Sequence, residues 1–444
     1  MYDHLGGGFH RYSTDGYWRI PHFEKMLYDQ AQLCISYIEA YQITKDEFYA
    51  DVAKDILRYA QEKMTSVDGG FYSAEDAESA IDFEHPKEKE EGEFYLWKKK
   101  EIETLFGNDA ELFCFAYGIE ENGNAITDPH NVFNNKNVLY QALSTEALAK
   151  RFSKNEREIE TTLADCRKKL FAKREQRPKP HLDDKILVSW NGLMISAFAK
   201  AYQVFGDEKY LRVAINAVSI IEKKLYRKEV DSSQKSVGKL FRRYRDGEAK
   251  IDATLEDYAF LVQGLLDLYE SSFEISNLKL AIELTETQIE KFYDNEDGGF
   301  FDATSEDKTL LIRTKESYDG AEPSGNSIAI LNLLRLSQML DKKEWKEAAE
   351  KSFSYFSEQM KHNPHALVQF LVAVDFLMST PKEIIVAGNK NDETTKAMLK
   401  EIYSRFLPTK VLLLADGDMG QSFLSSRNKF FEGIKAVNEK SSAY

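Results

Sequence analysis

Apolar residues recur every three or four positions along most of the chain, which is the spacing of helices that bury one face. The first such segment, residues 24–41, carries two apolar stripes. Two stripes widen the buried arc, so this helix is expected to contact neighbours on two sides. The next segment, 46–64, is more polar and has a single stripe. A fully buried helix followed by a one-sided helix predicts two layers, with the apolar helices inside.

The same couplet recurs further along the chain. It is found at 187–205 with 207–225, at 255–270 with 275–292, and at 326–340 with 343–360, and a last apolar helix is predicted at 365–378. Helix hairpins in tandem that close into a ring form an (α/α)6 toroid. We therefore predict an all-α fold with an (α/α)6 toroid over residues 1–380.

The pattern changes after Pro381. The segments "KEIIVAG" and "KVLLLAD" favour strands, and residues 392–405 between them favour a helix. These elements predict a small α/β segment, 381–444, packed on the toroid. Region 80–180 is the least regular, with a charged loop at 84–93 and a surface excursion at 127–137.

Length, charge and cysteine usage narrow the class of protein. The chain has 444 residues and a net charge of −15, which argues against a nucleic-acid partner because such proteins present basic surface. No apolar run approaches the ~20 residues of a membrane span, and the N-terminus does not resemble a secretory signal. The 3 cysteines are far apart and predict a reducing, cytoplasmic setting.

The stretch "GYWRIPHFEKMLYD" (16–29) concentrates groups that suit a reaction site. Pro21 suits a helix start, which would place His22 and Glu24 in the first turn. Histidine titrates near neutrality and a glutamate is tuned by burial, so the pair is suited to proton transfer. Trp18 and Arg19 offer a flat apolar face and a donor fork, which are the parts of a sugar platform. Ordinary capping and loop hydrogen bonds are the competing explanation.

Further polar clusters follow Gly-Gly turns or open other inner helices. "GGGFHRYS" contributes His10, Arg11 and Tyr12, and "FYSAEDAESA" contributes Glu75 and Asp76. Clustered acids more often mark a solvated helix start, whereas two carboxylates that face a cleft suit glycoside hydrolysis. The later inner helices add Asp184, Trp190, Asn191, Glu256, Asp257, Glu322 and Asn326. Capping alone does not require Trp, His and Arg at the same helix ends, so the clusters together favour a binding funnel.

The motifs "LGGGFHRYSTDGYWRIPHFEKMLYDQAQL", "DGGFYSAEDAES", "DDKILVSWNGLMI", "LEDYAFL" and "EPSGNS" resemble those of the spermatogenesis-associated, thioredoxin-domain-containing protein family. The resemblance covers nearly all of residues 2–380. It implies a six-hairpin glycosidase-like (α/α)6 toroid, similar to that of the N-acylglucosamine 2-epimerases. In that family a thioredoxin-like domain precedes the toroid, whereas this chain opens almost on the GGGFHRY motif. A thioredoxin-like domain or chain is therefore a candidate partner.

Three functions remain open at this point. The first is a sugar isomerase or epimerase with His22 as base, Glu24 or Asp257 as its partner, and Trp18 and Trp190 against the sugar ring. The second is a glycoside hydrolase with Asp76 and Asp257 as paired carboxylates. The third is a non-catalytic sugar-binding or scaffold module. The sequence has no GxGxxG, P-loop, HExxH or GxSxG motif, so we expect a small-molecule carbohydrate ligand and neither cofactor nor metal.

Overall fold

A computed structural model describes residues 1–126, 133–230, 236–307, 310–437 and 440–444. Much of the predicted surface excursion at 127–137 lies outside the described residues. The chain divides into two compact units, each built from separate segments. The first unit comprises Met1–Gln30, Lys54–Met64 and Ser73–Asp184, and the second comprises Ala31–Ala53, Thr65–Tyr72 and Lys185–Tyr444.

Helices make up most of the regular structure. They are α1 (Leu27–Thr44), α2 (Glu47–Lys63), α3 (Lys99–Phe106), α4 (Ala110–Tyr117), α5 (Thr145–Phe152), α6 (Glu156–Arg174), α7 (Val188–Phe205), α8 (Glu208–Ile220), α9 (Leu255–Ser272), α10 (Ile275–Phe292), α11 (Gly325–Leu340), α12 (Lys343–His362), α13 (Val368–Met378), α14 (Glu393–Tyr403) and α15 (Met419–Ser425). The predicted couplets after residue 187 match α7 to α12 to within a few residues, except that α8 ends at Ile220 and continues as a short π-helical turn, Ile221–Leu225.

The strands are shorter than the helices. They are β1 (Tyr12–Ser13), β2 (Pro21–His22), β3 (Lys25–Met26), β4 (Ala74–Glu75), β5 (Glu78–Ala80), β6 (Lys89–Glu91), β7 (Leu182–Asp183), β8 (Ile186–Leu187), β9 (Tyr226–Val230), β10 (Ser236–Arg245), β11 (Glu248–Asp252), β12 (Lys382–Ala387), β13 (Lys410–Ala415) and β14 (Ser442–Ala443). In the first unit β1 pairs with β2, β5 with β6, and β3–β4–β7 form an antiparallel sheet. In the second unit β10 pairs antiparallel with β8, β9 and β11.

The second unit has the two helix layers that the hydrophobic pattern predicts. Helices α7, α9 and α11 are buried along most of their length, and α9 packs against both α7 and α11. Helices α8, α10 and α12 each pack against the preceding buried helix. A Cβ atom on Gly192 would lie 2.5 Å from the Phe260 carbonyl oxygen, and one on Gly264 would lie 2.5 Å from the Gly192 carbonyl oxygen. These two glycines therefore permit backbone-to-backbone contact between α7 and α9.

The first unit is more regular than the sequence pattern indicated. Region 80–180, predicted to be irregular, contains the four helices α3 to α6, which pack around Ile102, Phe113, Leu148 and Ile159. Their apolar stripes are short and lie among many charged residues. The hydrophobic period is therefore weaker there than in the buried helices of the second unit.

The prediction that a helix starts at Pro21 is wrong. Pro21 and His22 form β2, with Tyr12 opposite His22 and Ser13 opposite Pro21. Helix α1 begins only at Leu27. A proline fits this position because its missing N–H group is tolerated in a two-stranded edge pair as well as in a first helical turn. His22 and Glu24 are therefore held by extended backbone.

The strand, helix and strand predicted after Pro381 are present as β12, α14 and β13, and the two strands are parallel. All three belong to the second unit. The arrangement of 381–444 as a separate segment, and the closure of the helix pairs into a six-pair ring, stay predictions. Within the described ranges, no helix is both long and apolar enough to cross a lipid bilayer.

Candidate functional site

A cavity of about 440 Å³ lies in the second unit, at the N-terminal ends of α9 and α11. Strand β10 and the loop that leads into α11 complete its wall. Its charged lining residues, among those that the structure describes, are Arg242, Glu256, Asp302, Glu316 and Glu322. Four carboxyl groups therefore share this cavity with one guanidinium group.

Glu322, which lies just before α11, is held in place by a tryptophan from α7. The Trp190 indole Nε1 donates a hydrogen bond of 2.6 Å to Glu322 Oε2. Burial, and secondly the negative charge of Glu256, raise the pKa of Glu322 to about 7. At neutral pH both the protonated and the ionised forms of this side chain are populated, as a group that exchanges protons requires.

Arg242 is ion-paired with two carboxylates from the first turn of α9. Its Nη1 atom lies 2.6 Å from Glu256 Oε1 and 3.3 Å from Asp257 Oδ2, and it also donates to Thr254 Oγ1 over 2.9 Å. The flanking acids raise the pKa of Arg242 against the opposing effect of burial. The guanidinium group is therefore already engaged by protein acceptors.

Asp257 is fully buried, caps α9 and has a raised pKa. It accepts hydrogen bonds from the backbone N–H groups of Ser189 (3.2 Å) and Thr254 (3.0 Å), and with Thr254 it forms the capping box of α9. Burial raises the pKa of Asp257 to about 6, although the charge of Arg242 acts in the opposite direction. Its carboxylate thus has partners on both sides and no exposed surface.

Asp302 and Glu316 are the two acidic lining residues of the cavity that lie in the segment between α10 and α11. Asp302 accepts hydrogen bonds from Thr314 Oγ1 (2.7 Å) and from the Glu316 backbone N–H (3.0 Å). Burial raises the pKa of Asp302 as well. Both hydrogen bonds join Asp302 to the segment that leads into α11.

Two of the predicted ligand-binding residues bind the second and third Gly-Gly turns, at 68–72 and 297–301. Asn191 accepts from the Phe71 N–H (2.8 Å) and donates to the Phe71 carbonyl (3.0 Å). Asn326 makes the same pair of bonds with Phe300, at 2.7 Å and 2.9 Å. In the first unit Gln30 binds Phe9 in the same way. Because both asparagines are fully buried, we assign them to the fold and leave them out of the proposed site.

The first unit brings the predicted pair His22 and Glu24 together. His22 Nε2 lies 3.2 Å from Glu24 Oε2, and Glu24 Oε2 lies 3.0 Å from Arg11 Nη1. The other ring nitrogen of His22, Nδ1, lies 2.7 Å from Glu91 Oε1, and the Tyr12 ring stacks on the imidazole. This cluster is a second candidate for proton transfer. Glu91 was not predicted because it lies 69 positions from His22 in a stretch that resembles a solvated loop.

The remaining predicted residues of the first unit have varied surroundings. Trp18 is 73% exposed and has a positive φ of 61°, and the Arg19 guanidinium lies 4.6 Å from the centre of the Tyr140 ring. His10 is buried against the Phe23 carbonyl (Nδ1 to O, 3.0 Å), and burial keeps its pKa well below the usual range. A histidine held neutral in this way is suited to packing.

The predicted acids that follow the second Gly-Gly turn lie in or next to the β3–β4–β7 sheet. Glu75 accepts a hydrogen bond of 2.5 Å from the Tyr59 hydroxyl. Asp76 and Asp184 are partly buried. Both belong to the first unit, whereas Asp257 belongs to the second. The catalytic pair Asp76 and Asp257 stays a prediction.

Sequence reasoning missed Arg242, Asp302 and Glu316. Arg242 lies in a strand that the helical pattern did not predict, Asp302 directly follows the turn DGGFF (297–301), and Glu316 lies between that turn and α11. The signal that would have found this strand is Asp246-Gly247, a two-residue hairpin turn between the segments that form β10 and β11. Within the described part of the chain, no group of three or more His, Cys, Asp or Glu side chains is arranged to hold a metal ion.

Part of the cavity lining lies in a stretch of sequence that matches a known protein family. Residues 190–315 match the family described as "D-glucuronyl C5-epimerase C-terminus". The chain is 39% identical over 463 aligned positions to human spermatogenesis-associated protein 20 and 40% identical to the mouse protein. Over its whole length this chain is similar to spermatogenesis-associated protein 20. It spans 58% of the human relative and 57% of the mouse relative.

Similar solved structures include two sugar epimerases. One is a sugar epimerase from a ruminal bacterium, with a TM-score of 0.47 and 11% identity over 80% of this chain and 66% of that chain. The other is cellobiose 2-epimerase from Bacillus thermoamylovorans, with a TM-score of 0.42 and 10% identity over 84% of this chain and 66% of that chain.

Proposed function

We propose that the cavity of the second unit binds a carbohydrate and moves protons to and from it, in the manner of a sugar isomerase or epimerase. The observation that carries this proposal is the raised pKa of Glu322, about 7, in a carboxyl group that Trp190 orients beside the cavity. Perturbed carboxyl groups that line a cavity are typical of acid–base sites. They argue for chemistry over a purely binding role.

In this proposal the ionised Glu322 takes a proton from the carbon beside the sugar carbonyl. The C–H bonding pair becomes the C=C bond of an enediolate, while the carbonyl π pair moves onto its oxygen, which becomes negative. Protonated Glu322 then returns the same proton, or one exchanged with water, to carbon as the C=C pair forms the new C–H bond and the carbonyl re-forms. Arg242 supplies positive charge at the cavity wall, where it would stabilise charge on that oxygen. Tyr318, which is 60% exposed on the lining, offers an aromatic face to the sugar ring.

The family match supports the same assignment. Residues 190–315 include Trp190, Arg242, Glu256 and Asp257, so the matched region contributes most of the charged groups around the cavity. The name of that family refers to inversion at a sugar carbon. We transfer from it the class of reaction, proton exchange at carbon, and not its substrate.

Glycoside hydrolysis is the second candidate. Glu322 would donate a proton to the leaving oxygen, and Glu256, which is ion-paired with Arg242, would be the carboxylate partner. Glycoside hydrolysis needs one carboxylic acid and one carboxylate beside the bond that breaks, and burial raises the pKa of Glu322, the acid of this pair. Glu322 and Glu256 take the place of Asp76 and Asp257 in this proposal, because Asp257 has no exposed surface.

His22 with Glu24 in the first unit remains the alternative proton-transfer pair. A hydrogen-exchange experiment distinguishes this pair from Glu322. The purified chain is incubated with monosaccharides in D₂O, and deuterium at sugar carbons is measured by NMR. Glu322→Gln should lower the exchange rate by about 10²–10⁴-fold, the usual contribution of an acid–base group. The matched control is Glu347→Gln, which removes an exposed carboxylate on α12.

The outcomes distinguish the candidates. Exchange that survives Glu322→Gln but disappears in His22→Ala would move the chemistry to the first unit. Cleavage of disaccharides without exchange at carbon would favour hydrolysis. Binding of a sugar without exchange or cleavage would favour a carbohydrate-binding module and overturn the enzymatic proposal.

A further inference from the structure

The cavity of the second unit has an excess of negative charge. Glu256, Asp302, Glu316 and Glu322 line it, and Arg242 is the only cation among its described lining residues. Asp257 lies directly behind the lining and shares Arg242 with Glu256. Even with one carboxylate neutralised by Arg242 and Glu322 half protonated, the cavity retains negative charge at neutral pH.

The neighbouring cations do not compensate for these acids. Arg242 is held by Glu256, Asp257 and Thr254. On the loop before α11, Lys315 Nζ lies 2.7 Å from Asp294 Oδ2 and donates to the Gly298 carbonyl over 2.7 Å. The Arg313 guanidinium stacks on the Phe301 ring at 3.9 Å. Neither Lys315 nor Arg313 is a lining residue of the cavity.

This charge balance bears on the chemical class of the ligand. A uronic acid or a sugar phosphate would place a further anion among these carboxylates. Arg242, which is already ion-paired with Glu256 and Asp257, is the only cation among the described lining residues. A protonated amine has the opposite sign and would gain from the same field. Repulsion between like charges excludes wrong ligands more strongly than attraction between opposite charges adds affinity. The acidic residues of the cavity are therefore expected mainly to exclude anionic sugars.

We propose that this cavity selects a sugar that bears a protonated amine and rejects uronic acids and phosphorylated sugars. The selection rests on the proposed function, since both concern the same cavity. Asp302 and Glu316 are the specificity-determining residues. Both residues line the cavity, where Arg242 is the only described cation. Asp302 accepts from Thr314 Oγ1 and the Glu316 N–H group, and Glu316 Oε1 accepts from the Ser317 and Tyr318 N–H groups.

This inference departs from the substrate that the matched family name implies. The region that matches a glucuronyl epimerase supplies the acids Glu256 and Asp302 to the cavity wall. A carboxylate on the sugar would therefore meet carboxylates on the protein. The match in sequence and the charge of the cavity thus give different expectations for the same pocket, and titration with sugars of each charge separates them.

The test uses the full chain and three matched probes: glucosamine, glucose and glucuronate, titrated by calorimetry at neutral pH and low salt. We expect glucosamine to bind at least about tenfold more tightly than glucuronate, with glucose between them. Asp302→Asn and Glu316→Gln should each reduce that ratio, and 0.5 M salt should reduce it because exposed charge interactions are screened. Glu347→Gln is the control and should leave the ratio unchanged.

Each outcome bears on one of the two proposals. Equal binding of the three probes, or tighter binding of glucuronate, overturns the charge selection and leaves the proposed function intact. A preference for glucosamine that persists in both variants assigns selection to other residues and overturns the role of Asp302 and Glu316. Absence of binding by all three probes, from a sample that unfolds cooperatively, overturns the proposed function and this inference together.

Discussion

Two aspartates on helix α9 show how the same side chain takes opposite roles. Asp257 is in the first turn, Asp267 is ten positions later, and both are fully or almost fully buried. Burial opposes ionisation of both. Yet the pKa of Asp257 is raised to about 6, whereas the pKa of Asp267 is lowered by the nearby Arg335 and Lys200 despite its burial.

The two ends of α9 differ in how many positively charged side chains lie beside the buried acids. At the C-terminal end of α9, Arg335 Nη2 lies 2.8 Å from Asp267 and 3.0 Å from Glu270, and Lys410 Nζ lies 2.5 Å from the second oxygen of Glu270. The two acids there lie beside Arg335, Lys410 and Lys200. At the N-terminal end, acids outnumber bases. At the C-terminal end of α9 the buried acids are paired with cations, so removal of one partner would destabilise the fold. At the N-terminal end the excess of acids leaves carboxyl groups with raised pKa values, which are suited to chemistry.

Removal of Arg335 is expected to have the largest effect on stability, because Asp267 and Glu270 share this cation. Arg335→Met leaves Asp267 and Glu270 buried without their shared cation. It should lower the free energy of unfolding by about 3–5 kcal/mol. Denaturant unfolding followed by circular dichroism measures this loss. A triple variant that also carries Asp267→Asn and Glu270→Gln should recover part of it, and a loss below about 1 kcal/mol would contradict the account.

The next effect tests the amide that binds the third Gly-Gly turn. Asn326→Ala removes two donated bonds and one accepted bond, leaving the Phe300 N–H group and the carbonyls of Phe300 and Glu316 without this partner. We expect a loss of about 2–3 kcal/mol of stability, because unpaired buried polar groups are costly. Asn295→Ala, at an exposed asparagine, is the control. Unchanged stability of Asn326→Ala with lost sugar affinity would return Asn326 to the binding site.

These contrasts also show what sequence reasoning can and cannot reach. Apolar stripes predicted α7 to α12 because a buried helix repeats its hydrophobic period over many turns. The helix start at Pro21 was predicted wrongly because a proline suits both a first helical turn and an edge strand. Trp190 and Glu322 were predicted as site residues, but the bond between them joins positions 132 apart. Charge balance depends on such contacts, and local patterns do not reveal them.

A smaller effect appears in the pH dependence of stability. Because the pKa of Glu322 in the folded chain, about 7, lies above its ordinary value of 4.5, the native state binds more protons than the unfolded state between those values. Stability from this group is therefore full below its unfolded pKa and is lost as the pH rises towards 7. The midpoint of thermal unfolding, measured from pH 5 to pH 8, reports the sum over all groups.

The contribution of Glu322 is the difference between the wild type and Glu322→Gln. Relative to the wild type, Glu322→Gln should gain about 1–2 kcal/mol between pH 5 and pH 8, a value reduced for partial exposure. Glu347→Gln shows what removal of an exposed carboxylate does on its own. A difference that is flat with pH would contradict the raised pKa, and a rise in wild-type stability relative to Glu322→Gln would reverse its sign.

The smallest effect concerns the orientation of the Glu322 proton. The Trp190 indole N–H donates to Oε2 and so favours the ionised carboxylate. It also leaves Oε1 as the oxygen that carries the proton when the group is neutral. Trp190→Phe removes the donor but keeps an aromatic ring, so the pKa of Glu322 should rise above about 7. Carbon-13 NMR of labelled glutamate, with Glu322→Gln for assignment, follows this titration without a substrate. A pKa that stays the same or falls in Trp190→Phe would show that the indole hydrogen bond does not set the protonation of Glu322, and burial beside Glu256 would then account for it alone.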